Sequence, residues 1–182
     1  MGRTTNKIAG ILLLSVALIT YSCSNDSSND PTINNTEKTA GTLEVSTTTS
    51  TYKGKYAPRH VLAIWVESSS GTFVKTLMVY AAARKQYLTN WLKSTSSGNS
   101  TDAITGATLS SHGTRTCTWD GTDTSGNTVG DGTYNVCMEF TENDGTGKYA
   151  SFSFTKGTST ASESPSASNY FSAISLNWTP SN

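Results

Sequence analysis

The sequence predicts a mainly-β sandwich with one short helix, and three observations carry that prediction. The 182 residues are rich in Ser, Thr and Gly, and only 14% are charged. Short runs alternate apolar and polar residues along much of the chain, as half-buried strands do. Turns bearing Gly, Asn and Asp separate those runs, and one segment alone shows helical spacing.

The first 38 residues stand apart from that domain. Arg3 and Lys7 precede an apolar run, Ile8 to Ile19, which ends in small and polar residues. The run is too short, and too soon followed by polar sequence, to span a membrane. Thr20-Tyr21-Ser22-Cys23 resembles a bacterial lipobox of the looser Bacteroidetes type, with Thr20 where Leu is usual. The plainer alternative is a secretory signal with an incidental cysteine. The resemblance implies a signal peptide over 1–22 and a lipid on Cys23. That lipid would anchor the mature protein to the outer membrane, facing the periplasm or the cell surface, with nothing spanning it. Residues 23–38 then form a tether of Ser, Asn, Asp and Thr with too little apolar surface to offset the entropy of ordering.

Residues 39–182 supply the domain. Thr39 to Thr49 is Thr-rich and alternating, an outer strand. His60 to Val66 is apolar on both faces, as a central strand must be. Ser68 to Gly71 turns the chain and Thr72 to Tyr80 returns it as a hairpin partner. Over Ala81 to Lys93, Tyr87, Leu88, Trp91 and Leu92 recur at helical spacing opposite Arg84, Lys85, Gln86 and Asn90. A short helix crosses one end or edge of the sandwich there. Ser94 to Thr101 is a polar loop. Thr133 to Thr141 and Lys148 to Thr155 alternate as strands about the turn Asn143-Asp144-Gly145. Gly157 to Ser168 reads as a mobile Ser/Thr-rich loop. Tyr170, Ser172, Ile174, Leu176 and Trp178 share one face of a last strand. Seven or so short strands with turn-rich joints predict an Ig-like antiparallel β-sandwich.

Trp119-Asp120-Gly121 running to Gly132-x-Tyr134 reads as a long β-hairpin loop, with Asp and Gly at turn positions and the two aromatics packing at its mouths. It resembles the Ig-like domain of flagellar hook-capping proteins. A calcium loop fails on spacing. Counted from Asp120, the fifth position is Thr124 and the required glycine is Ser125. Cys117 and Cys137 flank this loop at nearly equal distances, in a compartment that permits disulfides. Either they are bonded across the two strands, or they remain two buried thiols, since antiparallel neighbours strain a disulfide.

Charge excludes one class of partner. Thirteen basic residues balance thirteen acidic ones, and removing Arg3 and Lys7 with the signal leaves 11 basic residues. No basic stripe exists to neutralise phosphates, which argues against nucleic acid. The only histidines are His60 and His112 and there is no CxxC, which argues against zinc. Neither histidine lies beside a nucleophile elbow or a spaced carboxylate, so the chain does not read as an enzyme. His60, at a strand start, reads as structural, and His112, beside Gly113, as solvated.

The segment Asp102-Ala-Ile-Thr105-Gly106-Ala107-Thr108 has the form Asp-x-x-Ser/Thr-Gly-Ala-Ser/Thr. It resembles the segment on which bacterial flavin transferases place FMN in the flavin-carrying subunits of sodium-translocating quinone oxidoreductases. That resemblance implies FMN esterified to Thr108. Gly106 and Ala107 would leave the backbone open, Asp102 would position the segment and Thr105 would hydrogen-bond the phosphate. A plain Thr-Gly-Ala-Thr loop entering a strand, with Asp102 capping a turn, is the structural alternative.

Taken with this motif, the run from Tyr56 to Trp65, Phe73 to Leu77, Tyr87-Leu88, Trp91 and Trp119-Asp-Gly121 through Tyr134 resembles the bacterial periplasmic proteins grouped as domain of unknown function 2271. The likeness covers roughly residues 40–157. One departure is visible, because Glu139 to Glu142 leads into Asn143-Asp144-Gly145, where members often carry an acidic-Arg-Glu-His-Gly run. Two functions follow as expectations. One is a lipid-anchored electron carrier loaded by a flavin transferase and serving envelope redox proteins. The other is a cofactor-free structural or binding module with a protein or glycan partner.

Overall fold

The computed structural model describes residues 1–2 and 37–181. The expected signal peptide and lipobox, with Cys23, lie outside the described residues. Among the described residues no helix is long and apolar enough to cross a membrane. Eleven elements follow in order: β1 (Gly41–Thr49), β2 (Val61–Ser68), β3 (Phe73–Tyr80), a 3-10 turn (Lys85–Tyr87), α1 (Thr89–Thr95), β4 (Ile104–Gly106), β5 (Thr114–Trp119), β6 (Gly132–Thr141), β7 (Lys148–Lys156), β8 (Ala161–Glu163) and β9 (Phe171–Pro180).

The strands form two sheets, ordered β5-β1-β9-β8 and β4-β3-β2-β6-β7. The fold is therefore the mainly-β sandwich with one short helix that the sequence predicts. Its order is that of an Ig domain, in which one sheet carries strands B and E and the other carries C″-C′-C-F-G. Here β1 and β5 take the first two places and β4-β3-β2-β6-β7 take the rest, but β4 lies parallel to β3, so the sandwich is not wholly antiparallel as expected. The strand beside β1 comes from the C-terminus, as β9. A tyrosine corner marks the crossing between sheets, where Tyr134 Oη donates to the Gly130 carbonyl at 2.6 Å.

Burial explains why these segments pair. β1 alternates buried and exposed along its length, with Leu43 and Val45 in the core. β2 is buried on both faces. Its Leu62, Ile64 and Val66 enter the core between the sheets, while Val61, Ala63 and Trp65 meet Leu88 and Trp91 beneath α1. Trp119, Tyr134, Phe154 and Trp178 close the far end of the sandwich, with Trp119 and Tyr134 rings 5.3 Å apart. Asp120 and Asp123 act as the turn-formers their spacing suggests. Asp120 accepts the Thr122 N–H, and Asp123 accepts those of Ser125 and Asn127.

Four further expectations are corrected, and of the two readings left open for the cysteine pair the structure has the buried thiols. β1 lies between β5 and β9, so it is not an outer strand. The segment from Trp119 to Tyr134 is no hairpin loop, because it carries the chain from one sheet to the other. Cys117 consequently faces the inter-sheet core and Cys137 the layer beneath α1, and both thiols are free and buried. Burial pushes Cys117 up to about 12 and Cys137 up to about 11. The expected mobile loop contains β8. In the last strand the alternation slips: the pairing with β1 shifts between Ser46 and Thr48, and Ala173 has φ +47. Phe171 is buried as a result, and Tyr170 is exposed.

Candidate functional site

Strand direction gathers five connections at one end of the sandwich. β1, β3, β4, β6 and β8 run toward it, while β2, β5, β7 and β9 start from it. The Asp102–Thr108 segment forms edge strand β4 and the turn beyond it. β4 pairs with β3 in parallel, Met78 to Ile104 through Tyr80 to Gly106. A parallel neighbour needs a crossover, which the helical segment provides.

The structure places the motif residues separately. Asp102 lies in the turn two residues before β4, with φ +58, and its carboxylate is 3.8 Å from Lys75 Nζ. Thr105 and Ala107 are exposed, and Thr108 is half-buried. The next residue, Leu109, bridges to His60 through hydrogen bonds of 2.9 and 3.0 Å. Thr108 thus belongs to the loop end, while Asp102 belongs to the flank. Gly106 has a packing reason of its own, since a Cβ there would overlap the Tyr80 ring. Ile104, 45% exposed, stands between a cavity of about 450 Å³ over β5, β1 and β9 and one of about 270 Å³ beside Lys75 and Asp120.

Next to the Thr108 turn is a cluster absent from the sequence-based expectations. His60 and His112 stack in parallel, with ring centroids 4.1 Å apart. His112 Nε2 donates to the buried Glu142 carboxylate at 2.7 Å. Its Nδ1 then accepts from Thr49 Oγ1 at 3.1 Å. His112 is therefore held in the structure, contrary to the solvated position expected. His60 Nδ1 faces the Pro58 carbonyl and must carry the proton, which leaves Nε2 as a buried nitrogen without a partner. Burial holds the His60 imidazole down to about 4, against the pull of the Pro58 carbonyl and with the help of His112 and Arg115. Burial would raise Glu142, but hydrogen bonds from Gly54, Thr51 and His112 keep it below the usual carboxylate range.

Around this cluster the loops carry tyrosines covered by cations. Arg84 lies 3.9 Å above the Tyr56 ring, and Lys148 lies 4.9 Å from Tyr52 and 5.2 Å from Tyr170. Asp144 ties Arg84 at 2.8 Å, Lys55 at 3.3 Å and the Tyr56 hydroxyl. No group of three or more His, Cys, Asp or Glu among the described residues is arranged to hold a metal ion.

Fold and loop end together define a small Ig-topology sandwich that gathers its distinctive groups at one end. The chain belongs to the family described as predicted periplasmic protein (DUF2271), whose model matches residues 41–173. No curated protein and no solved structure matches the chain.

Proposed function

We propose that this protein is an envelope lipoprotein that carries FMN on Thr108 and moves electrons among envelope redox proteins, and that it is a carrier rather than an enzyme. One observation carries the reading. The complete Asp-x-x-Thr-Gly-Ala-Thr segment occupies an edge strand and turn, where a transferase can reach it, and no described protein hydrogen bond engages the Thr108 hydroxyl. The transferase would cleave the FAD pyrophosphate, join the FMN phosphate to Thr108 Oγ, release AMP and take up the hydroxyl proton. The bound flavin supplies the redox chemistry.

The residues present fit such a group. Ile104 offers an apolar surface beside cavities on both of its sides, and the larger lies within the roughly 300–1,000 Å³ usual for small-molecule sites. The periplasmic character of the family is consistent with a compartment where flavin transferases act. A lipid on Cys23 would complete the picture. Described residues enter the sandwich at Glu37, whose carbonyl accepts the Asp131 N–H at the end opposite Thr108.

A second reading has its own support. The Tyr80 contact gives Gly106 a structural role, and the loop-end tyrosines with their cations offer aromatic and charged groups to a protein partner. On that reading the protein is a cofactor-free module for a protein or glycan partner. Intact mass separates the two. Wild type and Thr108→Ala would be co-expressed with a flavin transferase in a periplasm. A gain of FMN less water in wild type, lost in the variant, is expected. An unmodified mass in both proteins sinks the carrier reading and leaves the module.

A further inference from the structure

The described residues carry 11 basic and 11 acidic side chains, but these are not mixed evenly. Loops at the Thr108 end, residues 50–60, 81–88, 107–113, 142–148 and 164–170, hold Lys53, Lys55, Arg59, Arg84, Lys85 and Lys148. Against these six they hold two acids, Glu142 and Asp144. Glu142 is buried and bonded to His112, so Asp144 is the one carboxylate that reaches the surface of these loops. The rest of the described chain has five basic and nine acidic residues. A domain with no net charge is therefore polarised along its length, positive at the loop end.

That end is also rigid. The Glu142 carboxylate accepts the N–H groups of Tyr52 at 3.1 Å and Gly54 at 2.9 Å, and its carbonyl accepts that of Tyr56. Arg115 fixes the loop after Thr108 through the Ser111 carbonyl at 2.9 Å. Loops pinned in this way lose little entropy on docking. Arg59 directly precedes the residue that pairs with Leu109, so positive charge borders the turn bearing Thr108. The Tyr56 ring is already covered by Arg84 and the Tyr52 and Tyr170 rings by Lys148, which leaves less open aromatic face for stacking sugars.

We infer that the Thr108 end is a docking face for an acidic electron-transfer protein, whose carboxylates meet Lys53, Arg59, Lys85 and Lys148 while its redox group approaches the flavin. The inference rests on the carrier reading, because a covalently held flavin cannot leave and its partner must come to it. Complementary charge at such a face raises the encounter rate, and the effect weakens as salt screens it.

Small oxidants of opposite charge probe the field at the flavin itself. The full mature protein, loaded by a flavin transferase and checked by intact mass, would be reduced anaerobically with stoichiometric dithionite. It would then be mixed in stopped flow with hexacyanoferrate(III), a trianion, or tris(phenanthroline)cobalt(III), a trication. Each oxidant accepts one electron, so two are consumed per FMN hydroquinone, and the protons on N1 and N5 pass to solvent. The hexacyanoferrate rate is expected to fall with added salt, and the cobalt rate to rise. Arg59→Glu with Lys148→Glu is expected to slow hexacyanoferrate by about tenfold at low salt. Lys38→Glu with Lys93→Glu, the same change in net charge away from this end, is expected to leave both rates within about twofold. Equal salt dependence for the two oxidants, or equal effects of the two double variants, overturns the docking face while the flavin stands. An unmodified mass overturns both.

Discussion

His60 and His112 show how much a single proton matters at this loop end. The rings stack at 4.1 Å, and the inner one has no partner on Nε2. A proton on His60 would place a positive charge in a buried stack beside Arg115, with the nearby Glu142 carboxylate already engaged by His112. Because burial depresses the His60 value from 6.5 to about 4, the unfolded chain binds a proton there that the folded chain refuses. Its contribution to stability is complete above pH 6.5 and is lost as pH falls toward 4. Glu142, held low in the fold, adds a loss in the same direction below the ordinary carboxylate range. Thermal unfolding should therefore show a Tm that declines between pH 6.5 and 4, with a shallower decline in His60→Phe. Identical pH profiles for the two proteins would remove His60 as the cause. Sequence reasoning had the Thr108 segment but not this cluster. Two lone histidines 52 positions apart and a glutamate 30 positions beyond carry no spacing signal, and only the meeting of three loops makes them neighbours.

At the scale of elements, alternation marks faces but leaves partners open. Period two identified β1, β6, β7 and the inward positions of Ile174, Leu176 and Trp178, while an unbroken apolar run marked β2 and the turn after it marked β3. It could not tell that β5 and β6 belong to different sheets, so a crossing looked like a hairpin and two cysteines looked bondable. β8 was hidden because a three-residue edge strand in Ser/Thr sequence has no buried face to betray it. The helix was legible from Leu88 and Trp91, yet what holds it was not. α1 has no side-chain cap of its own, and its N-terminus is served from β6. The Glu139 carboxylate, fully buried, accepts the N–H groups of Asn90 and Trp91 at 2.9 Å and the Asn90 amide at 2.9 Å. Anionic oxygen at a helix start meets both its orphan donors and its dipole. Glu139→Ala would strand those donors beneath the helix, at a cost of about 1–3 kcal/mol in chemical denaturation. Exchange of the amide protons of residues 90–95 should rise with it. Unchanged protection there would mean the capping contact contributes nothing.

For the whole molecule, the two ends of the sandwich divide the work. The loop end collects positive charge, tyrosines and the candidate flavin turn, while the far end receives the chain and locks it. That lock is a buried ion pair. Lys156 Nζ lies 2.6 Å from the Asp131 carboxylate with its side chain fully buried, and the Trp178 ring lies 5.3 Å away. The same carboxylate accepts the Thr39 N–H at 2.9 Å and its hydroxyl at 2.5 Å, so one residue joins the segment entering β1, the inter-sheet crossing and β7. Burial would raise the Asp131 carboxyl, but Lys156 and Thr39 hold it below its ordinary range. Asp131→Ala leaves the Lys156 ammonium enclosed with no counter-charge, which costs about 3–5 kcal/mol when one member of a buried pair is lost. The double variant Asp131→Ala/Lys156→Met removes the stranded charge and should recover most of that loss. Both changes lie at the end away from Thr108, so flavin loading measured at a temperature where each variant is folded should stay at the wild-type level. A single variant as stable as wild type, or a double variant no better than the single, would show that the pair does not hold the segment entering at Thr39 to the sandwich.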